Sequence, residues 1–135
     1  MTDFGVIPAL RVGDMANELA FYRDTLGFNL ERGGPDAEHC SLSFGAARLM
    51  LEVAANFYTP RYNEAIRERL GARSATALYI QADDLEGLQR RLLEVGAPIV
   101  DPLADRAWGQ AEFTIEDPEG NWLTFWRALD PAHQH

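Results

Sequence analysis

Residues 107–126 read AWGQAEFTIEDPEGNWLTFW. The pattern predicts a strand over 111–115, a tight turn at Asp117-Pro118-Glu119-Gly120-Asn121, and a second strand over 122–127. Pro118 presets φ for an early turn position, Gly120 and Asn121 tolerate positive φ, and both flanks alternate in polarity. Together these make a hairpin. A Trp108-Gly109 pair stands just before its first strand, and Trp122 and Trp126 share one face of its second. Indoles gathered on a sheet face suggest a pocket wall; the competing reading is that they are core residues.

Upstream of the hairpin, ATALYIQA (75–82) predicts a strand, and Asp83 or Asp84 caps a helix with Leu85, Leu88, Leu92 and Val95 on one face. Gly96 ends that helix, and a short strand at 98–100 and a loop lead into the hairpin. The first half has the same order. VIPALRV (6–12) is a strand, Asp14 caps a helix with Met15, Leu19, Tyr22 and Leu26 at helical spacing, and Gly27 closes it. A short strand near 29–32, a polar loop over 31–38, and the strand pair CSLSF (40–44) and RLMLEV (48–53) around Gly45-Ala46-Ala47 follow. Thr59-Pro60 starts a connector helix with Tyr62, Ile66 and Leu70 on one stripe and Gly71 at its end.

Asp14 to Gly27 spans thirteen positions and Asp84 to Gly96 twelve, so the halves are in near register. Two βαβββ units argue for an α+β fold over a doubly wound one. We expect a single domain over 1–135, with module one over about 5–56, the connector over 59–71 and module two over 74–128.

Strand parity separates two faces. One carries Pro8, Leu10, Val12, Leu49, Leu51, Val53, Leu78, Ile80, Leu123 and Phe125, and should receive the helices. The other mixes Arg11, Arg48, Met50, Glu52, Tyr79, Gln81, Trp122, Thr124 and Trp126. That mixture suits a lined cavity better than a dry core; a plain amphipathic sheet with surface aromatics is the alternative.

The composition narrows the functional classes. Net charge is −9, and all twelve basic residues are arginine, so a nucleic-acid partner is not expected. No apolar run approaches the length of a bilayer span, and MTDFGVIP lacks a signal-peptide pattern, so no membrane partner and a cytoplasmic location are expected. The single cysteine, Cys40, excludes an intrachain disulfide and fits a reducing compartment.

Paired βαβββ units, LAFYRDTLGF (19–28) and DPEGNWLTFW (117–126) resemble the vicinal oxygen chelate superfamily, which includes glyoxalase I, extradiol dioxygenases, fosfomycin-resistance enzymes and bleomycin-resistance proteins. IPALRVGD (7–14) and WG-x-x-x-F (108–113) look most like the bleomycin-resistance branch. The resemblance implies paired βαβββ modules forming a curved, cup-shaped mixed sheet with helices on the convex face. It also implies a homodimer, in which each cup is built from units of both chains. Metal-dependent members place ligands on the first and last strands of each unit, which here fall near Ile7, Glu52, Ala77 and Thr124. Glu52 alone is a metal-ligand type. His39 reads as a loop residue, and His133 and His135 as a tail. No metal, no other cofactor and no catalytic residue is therefore expected.

The expected function is metal-independent binding and sequestration of a cationic, aromatic small molecule. Trp108 would stack on it, Tyr79, Trp122 and Trp126 would line the cup with Phe57 and Tyr58, and Glu52 would face a cation or donor. Arg11 also lies on the pocket parity. The alternative is an enzyme, either a metal-dependent glyoxalase-type lyase or isomerase or an extradiol-type dioxygenase; fold resemblance alone does not decide between them.

Overall fold

The computed structural model describes residues 6–53, 59–69 and 76–129. The chain divides into two compact units, residues 1–73 and 74–135. The first contains β1 (Ala9–Val12), α1 (Met15–Leu19, continuing as a π-helical stretch Ala20–Thr25), β2 (Asn29–Arg32), β3 (His39–Phe44), β4 (Ala47–Val53) and α2 (Pro60–Arg69). The second contains β5 (Ala77–Gln81), α3 (Leu85–Glu94), β6 (Ile99–Asp105), β7 (Gln110–Glu116) and β8 (Trp122–Ala128). Strand order is β1-β4-β3-β2 in one unit and β5-β8-β7-β6 in the other. In both, the first and last strands pair in parallel and the remaining pairs are antiparallel. Each unit is a βαβββ module, and the class is α+β.

The caps explain where the helices begin. Asp14 Oδ1 accepts from the Asn17 N–H at 3.2 Å, and Asp84 Oδ1 from the Gly87 N–H at 3.1 Å; of the two candidates for the second cap, Asp84 serves. Each satisfies one of the N–H groups that a first helical turn leaves unpaired. The first helix ends through Gly27 at φ 89°, which lets the Phe28 N–H return to the Tyr22 carbonyl at 2.9 Å. The helix widens over its second half, and the Leu26 N–H reaches back five residues to Phe21 O. Met15, Leu19, Tyr22 and Leu26 are nonetheless all buried.

The aliphatic strand parity carries the helices as expected. In the first unit, Leu10, Val12, Leu49 and Leu51 are buried, and α1 packs against β4. Tyr22 meets Phe28 edge-on at 5.3 Å between ring centroids. In the second unit, Ile80, Phe113, Ile115, Leu123 and Phe125 form the core with Leu85, Leu88 and Leu92 of α3, which packs against β6 and β8. Phe113 and Phe125 are cross-strand partners with rings stacked at 5.7 Å.

Three expectations are corrected. The strand expected at 98–100 runs to Asp105. His39 is not a loop residue but opens β3. Val95, expected on the buried helix face, is exposed and lies just past the helix. Leu70 and Gly71 of the connector helix, and the side chains of Tyr62 and Ile66, lie outside what is described.

Candidate functional site

On the second unit, the sheet face opposite α3 is centred on residues of β5, β8 and β7. The parallel pairing of β5 with β8 sets Ala77 beside Trp122, Tyr79 beside Thr124 and Gln81 beside Trp126. The antiparallel pairing of β8 with β7 adds Glu116 beside Trp122, Thr114 beside Thr124 and Glu112 beside Trp126. Tyr79 is 61% exposed and Trp122 46%. Thr114 and Thr124 share a hydroxyl hydrogen bond of 2.7 Å in the middle of this face, and the Trp122 indole N–H donates to Glu116 Oε1 at 3.2 Å.

Trp108 sits in the turn before β7 and is 65% exposed. Its indole N–H donates to Glu112 Oε1 at 2.9 Å, and the Gln110 side-chain amide donates to the same oxygen at 3.2 Å. The hairpin that presents these groups is fixed by Asp117. Oδ1 of this buried carboxylate accepts from the Glu119 and Asn121 N–H groups at 3.0 and 2.8 Å, and its Oδ2 from the Asn121 amide at 2.9 Å. Gly120 at φ 90° makes the turn possible.

On the first unit, the equivalent face carries a row of charge. Arg11 pairs in register with Glu52, and Glu52 with His39. Glu52 is fully buried and forms an ion pair with the Arg11 guanidinium, while His39 Nε2 lies 3.9 Å from Glu52 Oε1 and 3.1 Å from Met50 Sδ. Beside this row is a cavity of about 340 Å³ whose lining includes Ile7, Arg32, Ser41, Arg48 and Met50. Cys40 is buried on the opposite parity, where burial pushes its thiol up from the ordinary range. It packs as a small core residue.

Four of the expected pocket residues, Trp108, Tyr79, Trp122 and Trp126, thus belong to the second unit, and two, Glu52 and Arg11, to the first. Phe57 and Tyr58 lie outside the described residues. Glu52 was expected to face an external cation; Arg11 supplies one from within the chain. Glu112 was missed, although it alternates with Ala111 and Phe113 and so falls on the Trp126 parity.

The metal that some relatives of this fold use does not fit the donors present. Of Ile7, Glu52, Ala77 and Thr124, only Glu52 offers a carboxylate, and Arg11 engages it. Among the described residues no group of three or more His, Cys, Asp and Glu side chains converges on a point that could hold an ion.

Comparison with known proteins agrees with this architecture. The bleomycin resistance proteins of Geobacillus stearothermophilus and Staphylococcus aureus are each 28% identical over 131 residues, covering 91% of this chain and 96% of theirs. TioX from Micromonospora sp. ML1 superposes with a TM-score of 0.74 at 24% identity, over 92% of this chain and 98% of that one. A bleomycin-binding protein complexed with bleomycin gives 0.64 at 22% identity, over 90% of this chain and 96% of that one. These structural likenesses establish the fold. Residues 6–125 match the family model itself, and the chain belongs to the Glyoxalase/Bleomycin resistance protein/Dioxygenase superfamily.

Proposed function

We propose that this protein binds a planar, cationic small molecule of the bleomycin type and sequesters it without altering it. One observation carries the reading. The open face of the second unit presents Tyr79 and Trp122 to solvent, with Trp108 tied to a carboxylate of the same face. Exposed aromatic clusters of this kind mark ligand or partner sites. Stacking contributes roughly 1–3 kcal/mol per ring by analogy with base–aromatic contacts. A cation over an indole adds about 0.5–2 kcal/mol. The net charge of −9 would draw a cation in, and the relatives named as bleomycin resistance proteins support this ligand class. We further propose that the chain acts as one cytoplasmic domain and as a homodimer, with its pocket at the dimer interface.

Tryptophan-quenching titration with bleomycin tests the reading. Wild-type protein should saturate, and Trp108→Ala should weaken binding by roughly tenfold or more, the loss of one stacked ring, with a native far-UV circular dichroism spectrum. Unaltered affinity in that variant would remove Trp108 from the site. Light scattering should give twice the chain mass.

The alternative reading, a metal-dependent lyase, isomerase or dioxygenase, has only His39 beside Glu52 to build on. It requires a further ligand and release of Glu52 from Arg11. Stoichiometric metal retained after desalting, and abolished by Glu52→Gln, would select it.

A further inference from the structure

Two carboxylates are buried on the open sheet faces, and their electrostatic situations differ. Glu52, in the first unit, has the Arg11 guanidinium as its counterion. Glu112, in the second, is only 6% exposed. Its partners are the Trp108 indole and the Gln110 amide, both neutral, and both bond to Oε1. Among the described residues no cationic group forms an ion pair with Glu112. A buried carboxylate whose partners are all neutral keeps acceptor capacity for a cation, and a cation that reaches it gains a charge-assisted hydrogen bond.

The geometry around this group has a second consequence. Indole Nε1 lies on the edge of its ring, so the bond to Glu112 fixes Trp108 without covering either π face. The 65% exposure of Trp108 agrees with free faces. The carboxylate thus holds a stacking platform with one oxygen and keeps the other available. Trp126, its cross-strand partner on β8, is a second aromatic beside the same charge.

We infer that Glu112 is the anchor for the cationic nitrogen of the ligand, accepting its N–H at Oε2 while Oε1 orients Trp108 for stacking. The ligand class follows: a planar aromatic bearing an amine, amidine or guanidine close to its ring edge. This rests on the binding reading above and adds the residue that reads the charge. Glu52 does not take that role because Arg11 already satisfies it.

Isothermal titration calorimetry with two flat dyes of similar shape tests the inference. Proflavine is cationic at mildly alkaline pH and acridine is neutral. Wild-type protein should bind proflavine roughly ten to a hundredfold more tightly, the range of one charge-assisted hydrogen bond. Glu112→Gln should erase that preference and leave acridine affinity within about twofold, because the amide oxygen still accepts from Trp108. If Glu112→Gln weakens both dyes equally, Glu112 only positions Trp108 and the cation anchor is overturned, while the aromatic-binding reading stands. A wild-type preference near unity overturns the anchor by itself and decides the matter even where the variant fails to fold. If neither dye nor bleomycin binds the wild-type protein, the binding reading fails and takes the inference with it.

Discussion

His39 and Glu52 are cross-strand partners on β3 and β4, with Nε2 3.9 Å from Oε1, and Arg11 flanks Glu52 on its other side through the parallel pairing with β1. The middle member of this row is fully buried, so its carboxylate relies on these neighbours for partners. Removing Arg11 alone should cost far more than removing the pair together. Arg11→Met is expected to destabilise by about 3 kcal/mol in urea unfolding, and Arg11→Met/Glu52→Met to recover most of that loss. A double variant as unstable as the single one would show that the Arg11 stem and not the Glu52 charge governs the effect.

The Asp117 turn should be the most sensitive polar position of the second unit. Its carboxylate satisfies two backbone N–H groups and one side-chain amide in a buried setting. Asp117→Ala leaves those donors unpaired and is expected to cost about 2–4 kcal/mol. Asp117→Asn keeps an acceptor for the backbone and should cost less. Chemical denaturation of both variants checks the order; equal losses would mean that the turn depends on charge rather than on its acceptors.

The repeat was legible because each unit brackets its helix between an aspartate cap and a positive-φ glycine, Asp14 with Gly27 and Asp84 with Gly96. Strand parity was legible because Leu49 and Leu51 alternate with Arg48 and Glu52, and Leu123 and Phe125 with Trp122 and Trp126. The full length of β6 was hidden by Pro102, which a central strand would not tolerate. As an edge strand pairing only with β7, with register shifts on both sides of Asp101, β6 accommodates it. His39 was hidden because it follows a polar run and its place in β3 comes from pairing with Glu52, a contact thirteen residues away in sequence. Glu112 lay on a readable parity, but its burial and its bond to Trp108 come from the folded hairpin.

Gly87 should resist the substitution that usually strengthens a helix. Glycine to alanine within a helix normally gains about 0.5–1 kcal/mol. Here a Cβ at position 87 would lie 2.2 Å from Asp84 Oδ2, so the capping side chain would have to swing away. Losing such a cap costs about 1 kcal/mol. Gly87→Ala is therefore expected to leave stability near the wild-type value, whereas the same change in an Asp84→Ala background should stabilise. A gain of equal size in both backgrounds would show that the cap survives the added methyl.

The ion pair between Glu86 in the first turn of α3 and Arg127 on β8 ties the helix to its sheet, with Arg127 Nε 3.0 Å from Glu86 Oε2. The Arg127 hydrogen bond holds the Glu86 carboxyl below its ordinary value, with desolvation opposing it. A carboxyl whose folded pKa is lowered stabilises the folded state above the unfolded value, near 4.3. That contribution fades as pH falls through the unfolded and then the folded pKa. Both side chains are partly exposed, so solvent screening limits the gain to under about 1 kcal/mol. The urea midpoint of the wild type should exceed that of Glu86→Gln at neutral pH, and the two should converge as the medium is acidified below the carboxylate range. Added salt at neutral pH should narrow the same gap. A difference that persists in acid would show that the ion pair is not its source, since glutamine keeps the same stem and no ionised carboxylate would remain to be paired.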